Sequence, residues 1–246
     1  MIPKILVSPV AFNEHSKLKN AIVRFLAARD KNHFPLDYLI VDDGSTDGTT
    51  SMIESFKDQG VKTIRHPQRC GVGAAIRSAI QYALDHQYDV LVIMAGNDKD
   101  NPEEISRLLD PIFQKNYDLV QGSRYLAGGG FSGDMPSYRK FATRLHPCLF
   151  SIVTGHKMTD TTNGFRAFKL SIFKDERLNI DQTWLNCYEL EVYLLFKAIK
   201  LGYKVTEAPV TKVYPSKKLG YTKMRPWIGW WSILRPLVFL GLGIRK

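Results

Sequence analysis

Polar side chains that could bind a nucleotide follow two of the predicted strands, at the points where those strands end. Asp42 and Asp43 follow the run LDYLIV, and Asn13 and Glu14 follow the run KILVSPVAF. Loops at the carboxyl ends of parallel strands line the ligand crevice of open α/β sheets. Carboxylates there suit hydrogen bonds to a nucleobase N–H and to ribose hydroxyls. The alternative is an Asx-turn with ordinary helix caps, although two adjacent aspartates exceed what capping needs.

A third loop of this kind, AGNDKD at residues 95–100, offers two chemistries. Asp98 and Asp100, with a neighbouring amide oxygen, would suit Mg²⁺ or Mn²⁺, which take oxygen ligands. Lys99 between them could instead neutralise a diphosphate as a fixed cation, without metal. A purely structural alternative is that the aspartates cap the helix that Asn101 and Pro102 begin. We expect a metal held by the two aspartates, with the metal-free lysine site as the alternative.

A glycine-rich turn, RCGVGAAIR at residues 69–77, enters a predicted helix. It lacks the full G-x-G-x-x-G spacing of a dinucleotide site and the G-K-[ST] of a P-loop, which disfavours both kinds of site. Backbone N–H groups near Gly71 and Gly73 could still bind a diphosphate at the start of the helix.

Apolar runs alternate with amphipathic stretches over the first 125 residues. The run at residues 90–94 is unbroken, as expected for a parallel strand covered on both faces. Alternation of this kind predicts right-handed βαβ units and an α/β fold with a mostly parallel sheet flanked by helices. After residue 125 the pattern changes to a glycine-rich loop, a long amphipathic helix, a short strand, an apolar helix ended by Gly202, and a pair of late strands.

The charge of the chain is concentrated at one end. The 246 residues carry a net charge of +10, and no acidic residue follows Glu207. This distribution argues against a generally basic nucleic-acid binder and for one localised basic face. The three cysteines, Cys70, Cys148 and Cys187, lack metal-ligand spacing, and the first residues lead directly into a strand, so we expect a cytoplasmic protein with reduced thiols.

The segment at residues 226–246 predicts contact with a membrane surface. It is apolar up to residue 244 apart from Ser232 and Arg235, contains three tryptophans, and has Pro236 near its middle. A spanning helix needs about 20 apolar residues without a central charge, which this segment does not provide. Clustered tryptophan beside basic residues suits a peripheral segment on the cytosolic leaflet. The alternative is that the segment packs back on the domain as core.

Six motifs occur in an order that resembles one family. They are SPVAFNE (8–14), VDDGSTDGT (41–49), RCGVGAAIR (69–77), GSRY (122–125), DTTNGFRAF (160–168) and GYTKM (220–224). Together they look like the inverting glycosyltransferases of the dolichol-phosphate mannose synthase type. The resemblance implies a GT-A fold over residues 1–225, with a nucleotide-binding half at about 1–125 and an acceptor half at about 126–225. It also implies a nucleotide-diphosphate sugar donor and a polyprenyl-phosphate acceptor at the membrane.

The resemblance and the chemistry of the loops and charged side chains together predict roles for individual residues. Catalytic roles fall on Asp160, Arg124, Arg166 and Glu189. Donor binding falls on Pro9, Asn13, Glu14, Asp42, Asp43, Gly71, Gly73, Asn97 and Lys99. Acceptor binding falls on Ser123, Arg139, Thr161, Gly164, Phe165 and Lys223. The several Arg and Lys side chains agree with a donor that carries a diphosphate and an acceptor that carries a phosphate.

The chain departs from the family at AGNDKD. The family's D-x-D, with a Gln two residues later, would fall on Ala95, Asn97 and Lys99, so the usual metal ligands are replaced. The literal D-x-D of Asp98 and Asp100 is displaced by three residues. This departure keeps a catalytically degenerate nucleotide-sugar-binding protein open as an alternative.

The acceptor determines whether catalysis needs a base. A lipid phosphate oxygen is already nucleophilic, whereas a glycan or other hydroxyl needs a carboxylate base, for which Asp160, Glu189 and Glu191 are candidates. Because Glu189 and Glu191 are two residues apart on a predicted helix, we expect at most one of them to face the site. The sequence predicts neither the sugar nor the oligomeric state.

Overall fold

A seven-stranded sheet forms the centre of the molecule, and all of its strands except one run in the same direction. The structure is a computed structural model and describes residues 2–214 and 226–245. The strand order is β3-β2-β1-β4-β7-β5-β8, and only β7 is antiparallel to its neighbours β4 and β5. The strands are β1 (Ile5–Ala11), β2 (Leu36–Asp42), β3 (Val61–Arg65), β4 (Val90–Ala95), β5 (Leu119–Ser123), β7 (Arg166–Lys169) and β8 (Val205–Pro209). The predicted α/β fold with a mostly parallel sheet is confirmed.

A small second sheet joins two segments that are distant in the sequence. Strand β6 (Gly130–Gly133) pairs in parallel with β9 (Thr211–Tyr214). Strand β6 lies within the glycine-rich segment, and β9 is the second strand of the late pair. The sequence predicted only a loop at residues 126–137, because glycines are poor strand formers and the pairing partner is about 80 residues away.

Helices cover both faces of the central sheet. They are α1 (His15–Arg29), α2 (Thr49–Glu54), α3 (Val72–Asp85), α4 (Ile105–Lys115), α5 (Ser137–Thr154), α6 (Glu189–Lys200) and α7 (Pro226–Gly241). Short 3₁₀ turns lie at Lys57–Gln59, Pro102–Glu104, Leu170–Lys174 and Thr183–Leu185. Two separate apolar cores result, one beneath α3, α6 and parts of α5 and α7, and the other beneath α1, α2 and α4.

Strand β4 shows why its run of apolar residues is unbroken. Leu91 and Ile93 belong to one core, whereas Val90, Val92 and Met94 belong to the other. Side chains alternate between the faces of a strand, so a strand with helices on both faces must be apolar at every position. The strand ends at Ala95, and the following loop therefore emerges at the carboxyl edge of the sheet.

The start of α4 follows the predicted signals. The Asn101 side-chain oxygen accepts a hydrogen bond from the backbone N–H of Glu103, and Pro102 opens a 3₁₀ turn that leads into the helix. These contacts fix the far end of the AGNDKD loop. Asn101 therefore caps the 3₁₀ turn that leads into α4, and the two aspartates of the loop are not needed for that purpose.

Helix α7 packs on the domain through its inner side. Leu237 and Leu240 are buried in the core shared with α3 and α6, whereas Trp231 and Val238 are exposed. The packing alternative for residues 226–246 is therefore observed for one side of the helix. None of the described helices has both the length and the apolar character needed to cross a bilayer.

Candidate active site

A cleft of about 680 Å³ opens at the carboxyl ends of β1 and β4, where the polar loops predicted from the sequence meet. It is bordered on one side by the first 125 residues and on the other by α5, α6, α7 and β9. Its described lining contains seven basic and four acidic side chains: Arg69, Lys99, Arg124, Arg139, Arg166, Lys212 and Arg235, against Glu14, Asp43, Glu189 and Glu191. A cleft with this excess of positive charge favours an anionic ligand.

The two aspartates at the end of β2 have different positions. Asp42 is fully buried and binds its own turn, accepting hydrogen bonds from Ser45 N at 3.0 Å and from the Thr50 hydroxyl. Asp43 lines the cleft and accepts from the backbone N–H groups of Cys70 and Gly71, both at 2.8 Å. Asp42 therefore stabilises its own turn, as the Asx-turn alternative predicts. Asp43 is the aspartate of the two that lines the cleft.

Asp43 also contacts His66 and belongs to a compact polar cluster. His66 Nδ1 lies 2.8 Å from Asp43 Oδ1, and its Nε2 lies 2.9 Å from the Ser78 hydroxyl. Possible ligand atoms of Asp43, His66 and Cys70 lie within 4.8 Å of one another. The Asp43 oxygens and both His66 nitrogens are already engaged by protein groups, so this cluster ties β2, β3 and the glycine-rich turn together.

The glycine-rich turn is shaped by the chain packed against it. A Cβ on Gly71, whose φ is +104°, would lie 2.3 Å from Asn186 O, and one on Gly73 would lie 2.0 Å from Leu185 O. The N–H groups of Gly73 and Ala74 donate to Asn186 O, at 2.8 and 3.2 Å. These N–H groups at the start of α3 are therefore already hydrogen-bonded within the protein. Diphosphate binding by Gly71 and Gly73 remains a prediction.

The end of β1 supports the neighbouring turn. Asn13 accepts from Thr46 N at 2.7 Å and its own N–H donates to the Ser45 hydroxyl at 2.8 Å, which joins the loops after β1 and β2. Glu14 lines the cleft. Pro9 lies within β1 opposite Met94, one residue before the cleft-lining Val10.

The AGNDKD loop separates the groups that were predicted to act together. Asn97 and Lys99 line the cleft, whereas the described lining does not include Asp98 or Asp100. Asp98 accepts from Arg24 Nη1 at 2.8 Å on the α1 side. Asp100 accepts from Ala95 N at 2.9 Å and from Lys212 Nζ at 2.6 Å. The two carboxylates thus have different partners and do not converge on a common point in the cleft.

Lys99 lies deep in the cleft, and its side chain is only 4% exposed. Burial first, and then the nearby charges of Arg139 and Lys212, lower the pKa of its ammonium group to about 7. Its Nζ lies 5.4 Å from the centre of the Tyr214 ring. A bound anion would stabilise the charged form of this lysine.

Arg124 and Asp160 form a buried, two-pronged ion pair. Arg124 Nε and Nη2 donate to the two Asp160 oxygens at 2.6 and 2.8 Å, and Nη1 donates to the Tyr214 hydroxyl at 2.8 Å. Burial alone would raise the pKa of Asp160, but the Arg124 charge and hydrogen bonds outweigh it and lower the pKa. Asp160 is thus a poor proton acceptor. Its two hydrogen bonds with the Arg124 side chain hold Arg124 in the wall of the cleft.

Arg166 and the first turn of α6 form the opposite wall. Arg166 is 2% exposed and donates to the backbone oxygens of Glu191 and Asn163, both at 2.7 Å. Burial raises the pKa of Glu191, against the opposing charge of Arg166. Glu189 is paired with Arg235 of α7.

The expectation that at most one of Glu189 and Glu191 faces the site is wrong. Both line the cleft. The cleft meets α6 at its first turn, so residues on different sides of the helix axis border it. The helix-face rule applies when a helix presents its side, and here α6 presents its end.

The predicted acceptor residues divide into two groups. Thr161, Gly164 and Arg139 line the cleft, and the Thr161 hydroxyl lies 2.6 Å from His146 Nδ1. Ser123 is buried behind the wall, 2.6 Å from the Thr159 hydroxyl, and Phe165 is fully buried in the core. Lys223 lies outside the described residues.

Several lining residues were missed by reasoning from the sequence. Lys212 and Tyr214 lie on β9, and Arg235 lies on α7. The available signals were weak: Lys212 and Tyr214 alternate along a strand, so they share a face. Ser232 and Arg235 are the polar interruptions of an apolar segment, and both contact α6 or its approach, through Tyr188 N and Glu189.

A mostly parallel α/β sheet flanked by helices, with a cleft at its carboxyl edge, is a fold of the GT-A type. Residues 9–177 match the model of Glycosyl transferase family 2, and the chain belongs to this family. It is a glycosyltransferase, and the resemblance carried by the six motifs is confirmed.

Two curated relatives and one solved structure illustrate the similarity. The chain is 32% identical over 190 residues to undecaprenyl-phosphate mannosyltransferase of Micrococcus luteus, covering 76% of this chain and 75% of that protein. It is 30% identical over 224 residues to polyprenol monophosphomannose synthase of Mycolicibacterium smegmatis, covering 90% and 81%. Glucosyl-3-phosphoglycerate synthase from Mycobacterium tuberculosis, solved with Mg²⁺ and UDP, has the same fold at a TM-score of 0.70 and 15% identity, covering 99% of this chain and 81% of that one.

Proposed function

We propose that this glycosyltransferase moves a sugar from a nucleotide-diphosphate sugar to a polyprenyl phosphate at a membrane surface, with inversion at the anomeric carbon. The names of the two curated relatives give undecaprenyl phosphate and polyprenol as their lipid partners. The observation that carries the proposal is the position of the cationic cleft. Its wall includes Arg139 of α5 and Trp231 of α7, and the outer sides of these two helices are apolar.

The outer side of α5 is an apolar stripe. Phe141, Leu145, Leu149 and Ile152 are all exposed, at the spacing of one helix face. Exposed Lys140 and Arg144 lie on the same helix. Helix α7, which contacts α5, adds exposed Trp231 and Val238. An apolar helix face flanked by basic side chains suits the surface of a bilayer with anionic lipids. We propose that residues 226–246 and α5 together form this contact.

The proposed reaction is an in-line displacement. An oxygen of the lipid phosphate attacks the anomeric carbon, the bond from that carbon to the diphosphate oxygen breaks, and its electron pair leaves with the nucleoside diphosphate. The phosphate nucleophile needs no proton removed. The positive charges of the cleft stabilise the negative charge that develops on the leaving diphosphate.

The same proposal divides the chain into a donor-binding half and an acceptor-binding half. The half at residues 1–125 supplies the donor side, with Asp43 and Glu14 at the nucleotide. The half at residues 126–225 supplies the acceptor side, with Arg139 and Thr161 toward the lipid phosphate. Arg124, held by Asp160, lies between them in the wall of the cleft.

A divalent metal accompanies UDP in the solved structure with the same fold. The prediction that Asp98 and Asp100 hold Mg²⁺ or Mn²⁺ finds little support in the geometry of this chain. Asp98 contacts Arg24, and Asp100 is shared between Ala95 N and Lys212. The residues at this loop therefore do not fit the metal, and no step of the proposed reaction is routed through one.

A transfer assay tests the proposal. The purified full chain is incubated with vesicles containing polyprenyl phosphate and, in turn, radiolabelled GDP-mannose, UDP-glucose and UDP-N-acetylglucosamine. The expected result is label in the lipid extract with one of the donors and no label in soluble oligosaccharide acceptors. Transfer only to soluble hydroxyl acceptors would contradict the lipid-phosphate acceptor, and binding without turnover of any donor would favour the degenerate-transferase alternative.

A hydroxyl acceptor is the second candidate. The observation that favours it is Glu191, a cleft-lining carboxylate whose pKa is raised by burial, as suits a general base. A hydroxyl acceptor would require this group, whereas a phosphate acceptor would not.

A further inference from the structure

The loop at residues 95–100 lacks the oxygen ligands that a divalent cation needs. Mg²⁺ takes about six oxygen ligands, and Mn²⁺ favours carboxylate and carbonyl oxygens. The carboxylate of Asp98 is paired with Arg24, and that of Asp100 is paired with Lys212, so each is already neutralised by a basic side chain. Asn97 Oδ1 lines the cleft, is buried, and has no hydrogen-bond partner in the described part of the chain. One neutral oxygen next to a lysine ammonium group is a poor site for such a cation.

Basic side chains from three elements converge at the same place. Lys99 comes from the loop after β4, Arg139 from α5 and Lys212 from β9. The Lys99 Nζ lies 5.4 Å, and the Arg139 guanidinium carbon 5.7 Å, from the centre of the Tyr214 ring. All four residues line the cleft. We call Lys99, Arg139 and Lys212 the cation triad.

We infer that the cation triad binds the donor's diphosphate and stabilises the leaving nucleoside diphosphate, so that sugar transfer by this enzyme needs no divalent metal. This inference rests on the proposed function, because it assigns the group that compensates the charge of that donor. The bond that breaks places its electron pair on a diphosphate oxygen, and fixed cations in a buried site stabilise such charge without reorganising. When a bound diphosphate keeps Lys99 protonated, Lys99 and Arg139 together carry the same charge as one Mg²⁺ ion.

The position of Lys99 supports this assignment. It occupies the place where the family pattern has the Gln that follows D-x-D, and Ala95 and Asn97 occupy the places of the two aspartates. Relative to that pattern, the two acidic positions are neutral in this chain and the third position is positively charged. Lys99 thereby adds a positive charge to the cleft wall, whereas Asp98 and Asp100 are not part of the described lining.

Nucleotide binding to the full chain is the direct test. Titration calorimetry with UDP, GDP, ADP, CDP and dTDP is run after dialysis against EDTA, and again with added Mn²⁺. The tightest-binding nucleotide is expected to show dissociation constants that agree within about threefold in the two conditions. A more than tenfold gain with Mn²⁺ would overturn the inference while leaving the proposed donor class intact. Failure of every nucleotide to bind in either condition would overturn the proposed donor class, and the inference with it.

Variants at position 99 separate charge from packing. Lys99→Met keeps the aliphatic stem and is expected to weaken nucleotide binding by about tenfold or more, whereas Lys99→Arg should stay within about threefold of wild type. Lys57→Ala, at an exposed lysine of the Lys57–Gln59 turn, is the matched control and should bind like wild type. Circular dichroism verifies that each variant is folded. Wild-type affinity in a folded Lys99→Met variant would overturn the inference.

A reverse substitution gives the complementary result. The variant with Ala95→Asp, Asn97→Asp and Lys99→Gln restores the family pattern. Its nucleotide affinity is expected to become Mn²⁺-dependent by about tenfold or more. Its bound Mn²⁺ should be visible by electron paramagnetic resonance in the presence of nucleotide, whereas wild type shows none. Two results would contradict the assignment of the metal's role to Lys99. One is nucleotide-dependent Mn²⁺ binding by wild type, and the other is a folded triple variant that binds no Mn²⁺.

Discussion

At the scale of single residues, Asp160 matters because of the arginine that it holds. Both members of the Arg124–Asp160 pair are buried, and Arg124 alone of the two lines the cleft. We expect Asp160→Asn to lower the free energy of unfolding by about 3–5 kcal/mol, because breaking a buried pair leaves one charge uncompensated. Urea unfolding measures this, with Asp58→Asn at an exposed position as the control. A loss below about 1 kcal/mol, the range of exposed pairs, would contradict the buried pair.

Glu191 distinguishes the two acceptor classes. Glu191→Gln removes the only ionisable group of this side chain and keeps its shape. With a lipid-phosphate acceptor, we expect kcat to stay within about tenfold of wild type, whereas loss of a required general base costs about 100-fold or more. Steady-state kinetics with the preferred donor measures this change. Glu176→Gln, at an exposed residue, is the control.

The role of each acidic residue could be predicted from the sequence only in part. Asp42 and Asp43 are adjacent and chemically identical, but one is bound by its own turn and the other reaches the cleft. The difference depends on Ser45, Thr50 and the glycine-rich turn, which are brought together by tertiary structure. Likewise, Asp98 and Asp100 have the spacing of metal ligands, but Arg24 and Lys212, distant in the sequence, determine where they point.

At the scale of elements, His146 joins α5 to α7. Its Nε2 lies 3.2 Å from the backbone oxygen of Ile233, which can only accept, so Nε2 carries the proton and Nδ1 accepts from the Thr161 hydroxyl. Burial lowers the pKa of His146 from 6.5 to about 4, against the backbone oxygen of Ile233 and the charge of Asp160, which raise it. The neutral form is thus the one that the packing of α7 requires.

This pairing predicts a pH dependence of stability. Because the folded-state pKa lies below the unfolded one, the contribution of His146 is fully present above pH 6.5 and is lost as the pH falls toward 4. The loss is on the order of 3 kcal/mol. Denaturant unfolding at several pH values should show that His146→Gln, a neutral donor and acceptor, reduces this slope. His33→Gln, at an exposed residue, is the control, and an unchanged slope in His146→Gln would contradict the assignment.

Regular elements were predictable where local patterns were strong. The parallel strands, the capped turn that leads into α4 and the helix ended by Gly202 follow from periodicity and from capping residues. Strand β6 was not predictable, because its pairing with β9 is a long-range event in a glycine-rich segment. This pairing brings Lys212 and Tyr214 to the cleft. Because the pairing could not be predicted, these two lining residues could not be predicted either.

At the scale of the whole molecule, the cleft lies next to the surface that we propose for membrane contact. Deletion of residues 226–246 would be an ambiguous test of that contact, because Leu237 and Leu240 belong to the core and Arg235 pairs with Glu189. Loss of vesicle binding in that variant could reflect unfolding alone. Substitutions on the outer side of α5 change the surface without removing core side chains.

The double variant Phe141→Asp, Ile152→Asp tests the membrane surface. The two side chains are 68% and 73% exposed, so the substitutions should leave the fold and nucleotide binding unchanged. We expect binding to vesicles that contain anionic lipid to weaken by about tenfold or more, because burial of two large apolar side chains is lost. Vesicle sedimentation measures this. Val23→Asp, at an exposed residue of α1, is the control, and equal sedimentation of the two variants would contradict the proposed surface.

The central claim is that a phosphate on a lipid accepts the sugar, and one comparison tests it most directly. Transfer from the preferred donor is measured with polyprenyl phosphate and with polyprenol of the same chain length, in vesicles of the same composition. The cationic cleft predicts that the phosphate is preferred by about 100-fold or more, since the hydroxyl lacks both the charge and the ready nucleophile. Comparable transfer to the polyprenol would contradict the account.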